Sequence, residues 1–153
     1  MTSFALRLRP AEASDLYCLW LWANDPETRH ASFGRSAVSW SDHVAWFERQ
    51  RSGGAYVFIG ETAEAQPIGS VRFDTTDGWR TARLSYVVAP EARRRGWSRP
   101  LVTQGIGLLG VRRPGVTITA RVMADNTGSL RLFRGLGWNE SVDGGDHLFV
   151  QPP

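Results

Sequence analysis

The chain contains no lysine: all eighteen of its basic residues are arginine, against fifteen acids, for a formal net charge of +3. That absence excludes Schiff-base and lysine-nucleophile chemistry, and it leaves a set of permanently charged, planar anion ligands. Cysteine is scarce as well. Cys18 stands alone, which excludes an internal disulfide and any multi-cysteine metal site and points to a reducing, cytoplasmic setting. The histidines, His30, His43 and His147, do not have zinc-ligand spacing, so no metal is expected. Long apolar runs are missing too; nothing approaches the roughly 20 residues that span a bilayer, and no membrane association is expected. The opening MTSFALRLRPAEASD alternates polarity early and carries acids, unlike a signal peptide. With 153 residues, 42% of them hydrophobic, the chain is expected to fold as one domain, 1–153, around one core.

What is present falls into two patterns. Residues 4–10, FALRLRP, alternate apolar and polar side chains and predict a half-buried strand. Ser14 is placed to cap a short helix, DLYCLWLWA, that stops before Asn24-Asp25-Pro26. A polar, glycine-containing stretch from Glu27 to Val38 follows, with no element assigned. Ser39 and Asp42 resemble a capping box opening the helix WSDHVAWFERQ, where His43, Trp46 and Phe47 share a face. Three strand-like segments come next, Ala55–Glu61, Ile68–Asp74 and Thr81–Val88, with a hairpin signal at Asp77-Gly78. The second half alternates: a helix from about Gly96 to Leu109, a strand Val116–Met123, a helix Asn126–Leu136 ended by Gly137, and a hairpin centred on Asp143-Gly144-Gly145. A meander feeding a β-α-β unit predicts an α+β fold on a single mixed, mostly antiparallel sheet, flanked by about four helices.

The most unusual stretch is PEARRRGWS, residues 90–98, at the hand-over from the apolar run 84–88 to a helix. Arg93, Arg94, Arg95, Arg99, Arg112 and Arg113 lie within twenty-one residues, so the charge is local rather than global. A helix start leaves backbone N–H groups unpaired and carries partial positive charge. Gly96 and the small Ser98 let an anion approach those amides, and the arginines add charge-assisted bonds. The residues alone are compatible with a phosphate cradle, with a solvated surface turn, or with a nucleic-acid patch. The last lacks any accompanying platform of aromatic side chains, and no nucleic-acid partner is expected.

VVAPEARRRGWSRPLV resembles the acyl-CoA-binding motif of the GNAT N-acetyltransferase superfamily, V-x-P-x-x-R/Q-x-x-G-x-G/A, with Val88, Pro90, Arg93, Gly96 and Ser98 on the motif positions. Further on, ADNTGSLRLFRGLGW resembles that superfamily's second signature, through Asn126, Ser129, Phe133, Gly137 and Trp138. The resemblance implies a GNAT fold whose sheet splays between the fourth and fifth strands. It also implies acetyl-CoA as co-substrate: pantetheine pairing with amides near Val87 and Val88, and pyrophosphate on Arg93, Arg94, Arg95, Gly96, Trp97, Ser98 and Arg99. Asn126 and Ser129 would face the pantetheine arm, with Phe133 beside the thioester. Ser98 replaces the motif's glycine or alanine, and Pro100 removes one possible phosphate donor.

The first half resembles one subgroup, the UDP-4-amino-sugar N-acetyltransferases of pseudaminic acid biosynthesis type, through Trp22, Asn24, Pro26, Arg29, Ser32, Phe33, Ser39, His43 and Trp46. On that resemblance Trp22, Asn24, Arg29, Phe33, His43 and Tyr86 would contact the acceptor, with Arg29 and His43 meeting a diphosphate. Many relatives place a tyrosine, as acid to the leaving thiolate, where this chain has Phe133. The implied chemistry is therefore direct attack by a neutral amine, with Ser85 holding a relay water and an N–H near Val87 meeting the oxyanion. The expected function is acetyl-CoA-dependent N-acetylation of a small-molecule amine, with a UDP-amino sugar as the favoured acceptor, by a monomer or homodimer. The alternatives are another small amine, a protein N-terminus, or a non-catalytic acyl-CoA-binding domain.

Overall fold

The computed structural model describes residues 5–153. Its centre is a seven-stranded mixed sheet in the order β1-β2-β3-β4-β5-β7-β6. The strands are β1 (Arg7–Pro10), β2 (Ala55–Glu61), β3 (Pro67–Asp74), β4 (Thr81–Val88), β5 (Thr117–Val122), β6 (Asn139–Asp143) and β7 (Asp146–Val150). Only β4 and β5 run parallel among the paired strands. Five α-helices accompany them: α1 (Leu16–Asn24), α2 (Pro26–His30), α3 (Trp40–Arg49), α4 (Ser98–Arg112) and α5 (Thr127–Gly135). The fold is α+β, as the sequence pattern predicts, with the hairpins where Asp77-Gly78 and Asp143-Gly144-Gly145 place them. The start of the first predicted strand, at residue 4, lies outside the described residues.

Two local expectations change. Ser14 does not cap α1. The chain enters it through a 3-10 turn, Ala13–Asp15, in which the Asp15 carboxylate accepts the Glu12 N–H at 2.7 Å. The polar stretch after Glu27 is not all irregular, because Pro26 at the first helical position and the Asp25 carboxylate, accepting the Thr28 N–H, start the short α2. The Ser39 cap is as expected, its hydroxyl accepting the Asp42 N–H at 3.2 Å.

Strand alternation decides which helices cover which face. Gly105 of α4 lies so close to Val71 that a Cβ on it would come within 2.7 Å of that side chain. The neighbouring Arg72 points the other way, 5.5 Å over the ring of Trp46 on α3. Hence α4 packs on one face of the sheet and α3 on the opposite one. Tyr86, opposite Val71 in the β3–β4 register, points to the α4 face and meets Ser129 of α5, so α5 shares that face. Phe58, Val71, Phe73, Leu101, Val102, Leu109 and Phe149 fill the core with essentially no exposure.

Two polar clusters tie the edges to this core. Arg9 of β1 bonds both Asp15 oxygens, at 2.7 and 2.8 Å, and also pairs with the buried Glu61 of β2. Burial pushes Asp15 up, but the Arg9 bonds outweigh it and hold the carboxyl below its usual range. Arg9 likewise holds Glu61 down. His43 of α3, 3% exposed, donates Nε2–H to the Leu16 carbonyl at 2.8 Å and so fastens α3 to α1. Burial lowers its pKa, with the Leu16 bond opposing, so the ring is neutral in the folded state.

Both clusters make the fold acid-sensitive, in two windows. His43 binds a proton more readily when unfolded, so its share of stability is lost as pH falls through its ordinary range near 6.5. The depressed carboxyls Asp15 and Glu61 contribute fully above about pH 4–4.5 and lose that contribution as pH falls through their lower folded values. In melting curves from pH 8 to 3, His43→Gln is expected to flatten the fall between pH 7 and 5 only. Arg9→Met is expected to cost about 3–5 kcal/mol near neutrality, by leaving Asp15 without a guanidinium and Glu61 with only the exposed Arg7, and to flatten the limb below pH 4. A Tm profile for Arg9→Met parallel to wild type throughout would contradict this assignment.

Candidate active site

The site begins where two strands part. Pairing between β4 and β5 covers Thr81–Arg83 against Thr117–Thr119 and then stops, so Leu84–Val88 diverge from Ala120–Val122. The Ala89 N–H bonds to the Ile68 carbonyl, and alternation along an antiparallel pair then turns the Val87 amide toward β3 as well. The backbone groups of Tyr86 and Val88 face the opening. This corrects the expectation at Val87, whose N–H is committed to the sheet.

A cavity of about 880 Å³ runs through this opening and reaches both faces. On the α4/α5 face its wall includes Tyr86, Asn126, Ser129 and Phe133. The Tyr86 hydroxyl lies 2.7 Å from Ser129 Oγ, a hydrogen bond spanning the wedge from β4 to α5. Burial raises the Tyr86 pKa, with the Ser129 bond opposing, so the phenol stays protonated. Asn126 caps α5, its Oδ1 accepting the Ser129 N–H at 3.3 Å. Phe133, 1% exposed, packs against Trp138 and Phe149, at ring-centroid distances of 5.0 and 5.3 Å. A phenol thus stands at the wedge, supplied from β4 and not from the α5 position where the second motif leads one to look for it.

The turn after β4 has the shape of an anion cradle. Arg94 and Gly96 both adopt positive φ, 62° and 82°. A Cβ on Gly96 would meet nothing within 4 Å, so glycine is needed there for its backbone conformation and not for want of room. Arg94, Gly96, Trp97 and Ser98 line the cavity with the start of α4, while Arg95 and Arg99 lie outside its lining. Arg93 is otherwise engaged. Its guanidinium bonds Asp25 at 2.8 Å, Glu27 at 2.7 Å and the Thr28 hydroxyl at 3.0 Å, clasping the cradle to α2. With its guanidinium engaged by these partners, Arg93 is a clasp between the turn and α2, where the sequence led one to expect an anion ligand.

The acceptor-side residues divide in the same way. Trp22, 4% exposed, is a core residue that does not line the cavity. Asn24 holds the following loop, donating to the Val38 carbonyl at 2.9 Å and accepting the Val38 N–H at 2.7 Å. Arg29 donates to the carbonyls of Ala23, Gly34 and Ser36. His43 is spent on Leu16. For Arg29 and His43 the loop and helix contacts leave no donor fork for a diphosphate, a second correction. Phe33 is exposed, lines the cavity and lies 5.5 Å from the guanidinium of Arg121.

The sequence reading missed Arg49, Arg72 and Arg121, which line the same cavity with Arg83. The register puts Arg72 on the side of Ser85, and Arg83 beside Thr119, two residues before Arg121. All three strands therefore show arginine to the α3 face. The alternation Arg83-Ser85-Val87 was a readable signal for β4; which residues of β5 adjoin it depends on the crossover. Burial raises the Cys18 thiol to about 11, which keeps it protonated at neutral pH. Among the described residues no group of three or more His, Cys, Asp or Glu side chains assembles for a metal.

Known structures share this architecture. The spermidine N-acetyltransferase from Vibrio cholerae, solved with CoA and spermine, superposes with TM-score 0.83 at 19% identity, over 95% of each chain. Ribosomal-protein-alanine N-acetyltransferase from Brucella melitensis gives 0.78 at 25% identity, over 95% of this chain and 98% of that one. The yncA protein of Salmonella typhimurium, solved with its cofactor acetyl-CoA, gives 0.76 at 24% identity, over 97% and 93%. No curated protein matches the chain. The profile of the acetyltransferase (GNAT) domain, however, matches residues 5–139, and the chain that carries this splayed sheet and cradle belongs to the GNAT acetyltransferase family.

Proposed function

We propose that the chain moves the acetyl group of acetyl-CoA onto the primary amine of a small molecule, by direct attack, with Tyr86 as proton donor to the leaving thiolate. The observation that carries this reading is the alternation at the wedge. Ser85 and Tyr86 are consecutive on β4, so their side chains point to opposite faces of the sheet. The cradle and α5 lie on Tyr86's side; Ser85 faces α3, the side left open for an acceptor.

The proton balance follows from that separation. A neutral amine forms the C–N bond while an N–H facing the wedge, at Tyr86 or Val88, meets the developing oxyanion. A water held near Ser85 takes the amine proton. The C–S bond breaks, and the Tyr86 phenol, kept neutral by burial, protonates the sulfur and recovers its proton through Ser129 or solvent. A phenol at the wedge counts against a non-catalytic acyl-CoA-binding domain, for which the lack of a carboxylate on β4 still speaks.

Within this reading a nucleotide-linked amino sugar is the first acceptor to try, supported by the sequence resemblance of the α1–α3 region. With Arg29 and His43 engaged, its diphosphate would have to be met by the other arginines of the cavity. A protein N-terminus is the second reading, favoured by the 25% identity to the Brucella ribosomal-protein-alanine enzyme. CoA release with a panel of UDP-amino sugars, simple amines, polyamines and peptides separates them. The N-acetyltransferase reading fails if no amine in the panel is turned over.

Two variants test the machinery. Gly96→Val forces a β-branched residue to φ near 82° and is expected to abolish the rise in Tm caused by acetyl-CoA. Unchanged acetyl-CoA affinity in this variant would sink the cradle. Tyr86→Phe is expected to lower kcat by about 10²-fold, the lower end for a lost general acid, while acetyl-CoA affinity changes little. Equal kcat in a folded Tyr86→Phe protein would transfer the proton-donor role elsewhere.

A further inference from the structure

We infer that the acceptor is an amine that also carries an anionic group, a carboxylate or a phosphate, bound by Arg49 and Arg83 at the α3-face mouth of the cavity. This rests on the N-acetyltransferase reading and adds to it a substrate class. Seven arginines line the cavity, Arg29, Arg49, Arg72, Arg83, Arg93, Arg94 and Arg121, against two acids, Glu27 and Asp42. Several are already neutralised. Arg93 is clasped by Asp25 and Glu27, Arg72 by Asp74 at 2.8 Å, and Arg121 by Asp146 at 3.1 Å. Arg29 has only carbonyl and hydroxyl partners, so its charge is uncompensated, although its donors are used.

Arg49 and Arg83 differ from these. Neither has an ion-pair or hydrogen-bond partner on its guanidinium among the described residues, and both line the cavity. Acetyl-CoA does not account for them. Its phosphates belong to the cradle on the α4 face, whereas Arg83 shares the α3 face with Ser85, where the amine must arrive. Unpaired guanidinium groups facing a half-enclosed cavity are forks for carboxylate or phosphate. The same charges repel a polycation, for which Asp42 is the one uncommitted lining acid. The site therefore differs in sign from what spermine, bound in the Vibrio cholerae structure, would need.

The experiment compares four amines under saturating acetyl-CoA: β-alanine, O-phosphoethanolamine, ethanolamine and spermidine. Both anionic amines are expected to exceed ethanolamine in kcat/KM by roughly tenfold or more, with spermidine lowest and the preference shrinking in high salt. The ranking of β-alanine against O-phosphoethanolamine separates carboxylate from phosphate. Arg83→Gln and Arg49→Gln are each expected to cut the anionic-to-neutral ratio about ten- to a hundredfold, chiefly through KM, with partial recovery in Arg83→Lys. Spermidine as the best acceptor, or a ratio unmoved by both variants, overturns the inference. If none of the four is turned over, inorganic phosphate and β-alanine are titrated calorimetrically into CoA-saturated protein. Binding that weakens in Arg49→Gln and Arg83→Gln upholds the anion site even where the N-acetyltransferase reading has failed; absence of binding removes it.

Discussion

The site depends on one broken ladder. Parallel pairing of β4 and β5 holds them together only as far as Arg83 and Thr119, and beyond that point their backbone groups need other partners. Buried peptide groups without partners are costly, so such a gap persists only where something fills it or water reaches it. A strand-like pantetheine arm, with its own amides, is a natural complement to the free side of β4. The α5 helix sits across the same gap, and its Ser129 bridges the wedge to Tyr86. Cavity, cradle and acceptor mouth all inherit their positions from the place where the ladder ends.

A period of two then distributes the chemistry. Side chains along β4 alternate between faces, so a single strand delivers Tyr86 to the α4/α5 face and Arg83 and Ser85 to the α3 face. The neighbouring strands repeat the pattern in register, with Arg72 on β3 and Arg121 on β5. In the proposed mechanism the acid and the base relay therefore need not share a pocket, and separate surroundings would tune their proton affinities. Burial sets Tyr86. For an amine entering as proposed, the open, arginine-bearing mouth would favour the neutral form by opposing the ammonium.

Much of the fold was legible because its signals are local. The Asp77-Gly78 and Asp143-Gly144-Gly145 hairpins, the Ser39 cap and the strand-to-helix turn at Gly96 each declare themselves within a few residues. What stayed hidden depends on partners far along the chain. Nothing near Arg93 announces that Asp25 and Glu27, more than sixty residues earlier, will claim it. Nothing near His43 shows that the Leu16 carbonyl will accept its Nε2–H hydrogen bond. Trp22 and Phe33 look alike as aromatic pocket candidates, yet one is core and the other exposed, because α1 packs inward and the loop after α2 does not. The direction of the Val87 amide follows from the phase of the β3–β4 ladder, which composition cannot supply.

The all-arginine composition acquires a chemical meaning at this site. An enzyme that presents an activated thioester to amines exposes its own side chains to the same reagent. A lysine near the acceptor mouth, once deprotonated in that cationic setting, would be a competing nucleophile. Guanidinium groups stay protonated at any pH the protein meets and do not attack a thioester. The cavity can thus be strongly cationic and still chemically silent, and with no lysine anywhere in the sequence no lysine side chain can be acetylated by its own co-substrate.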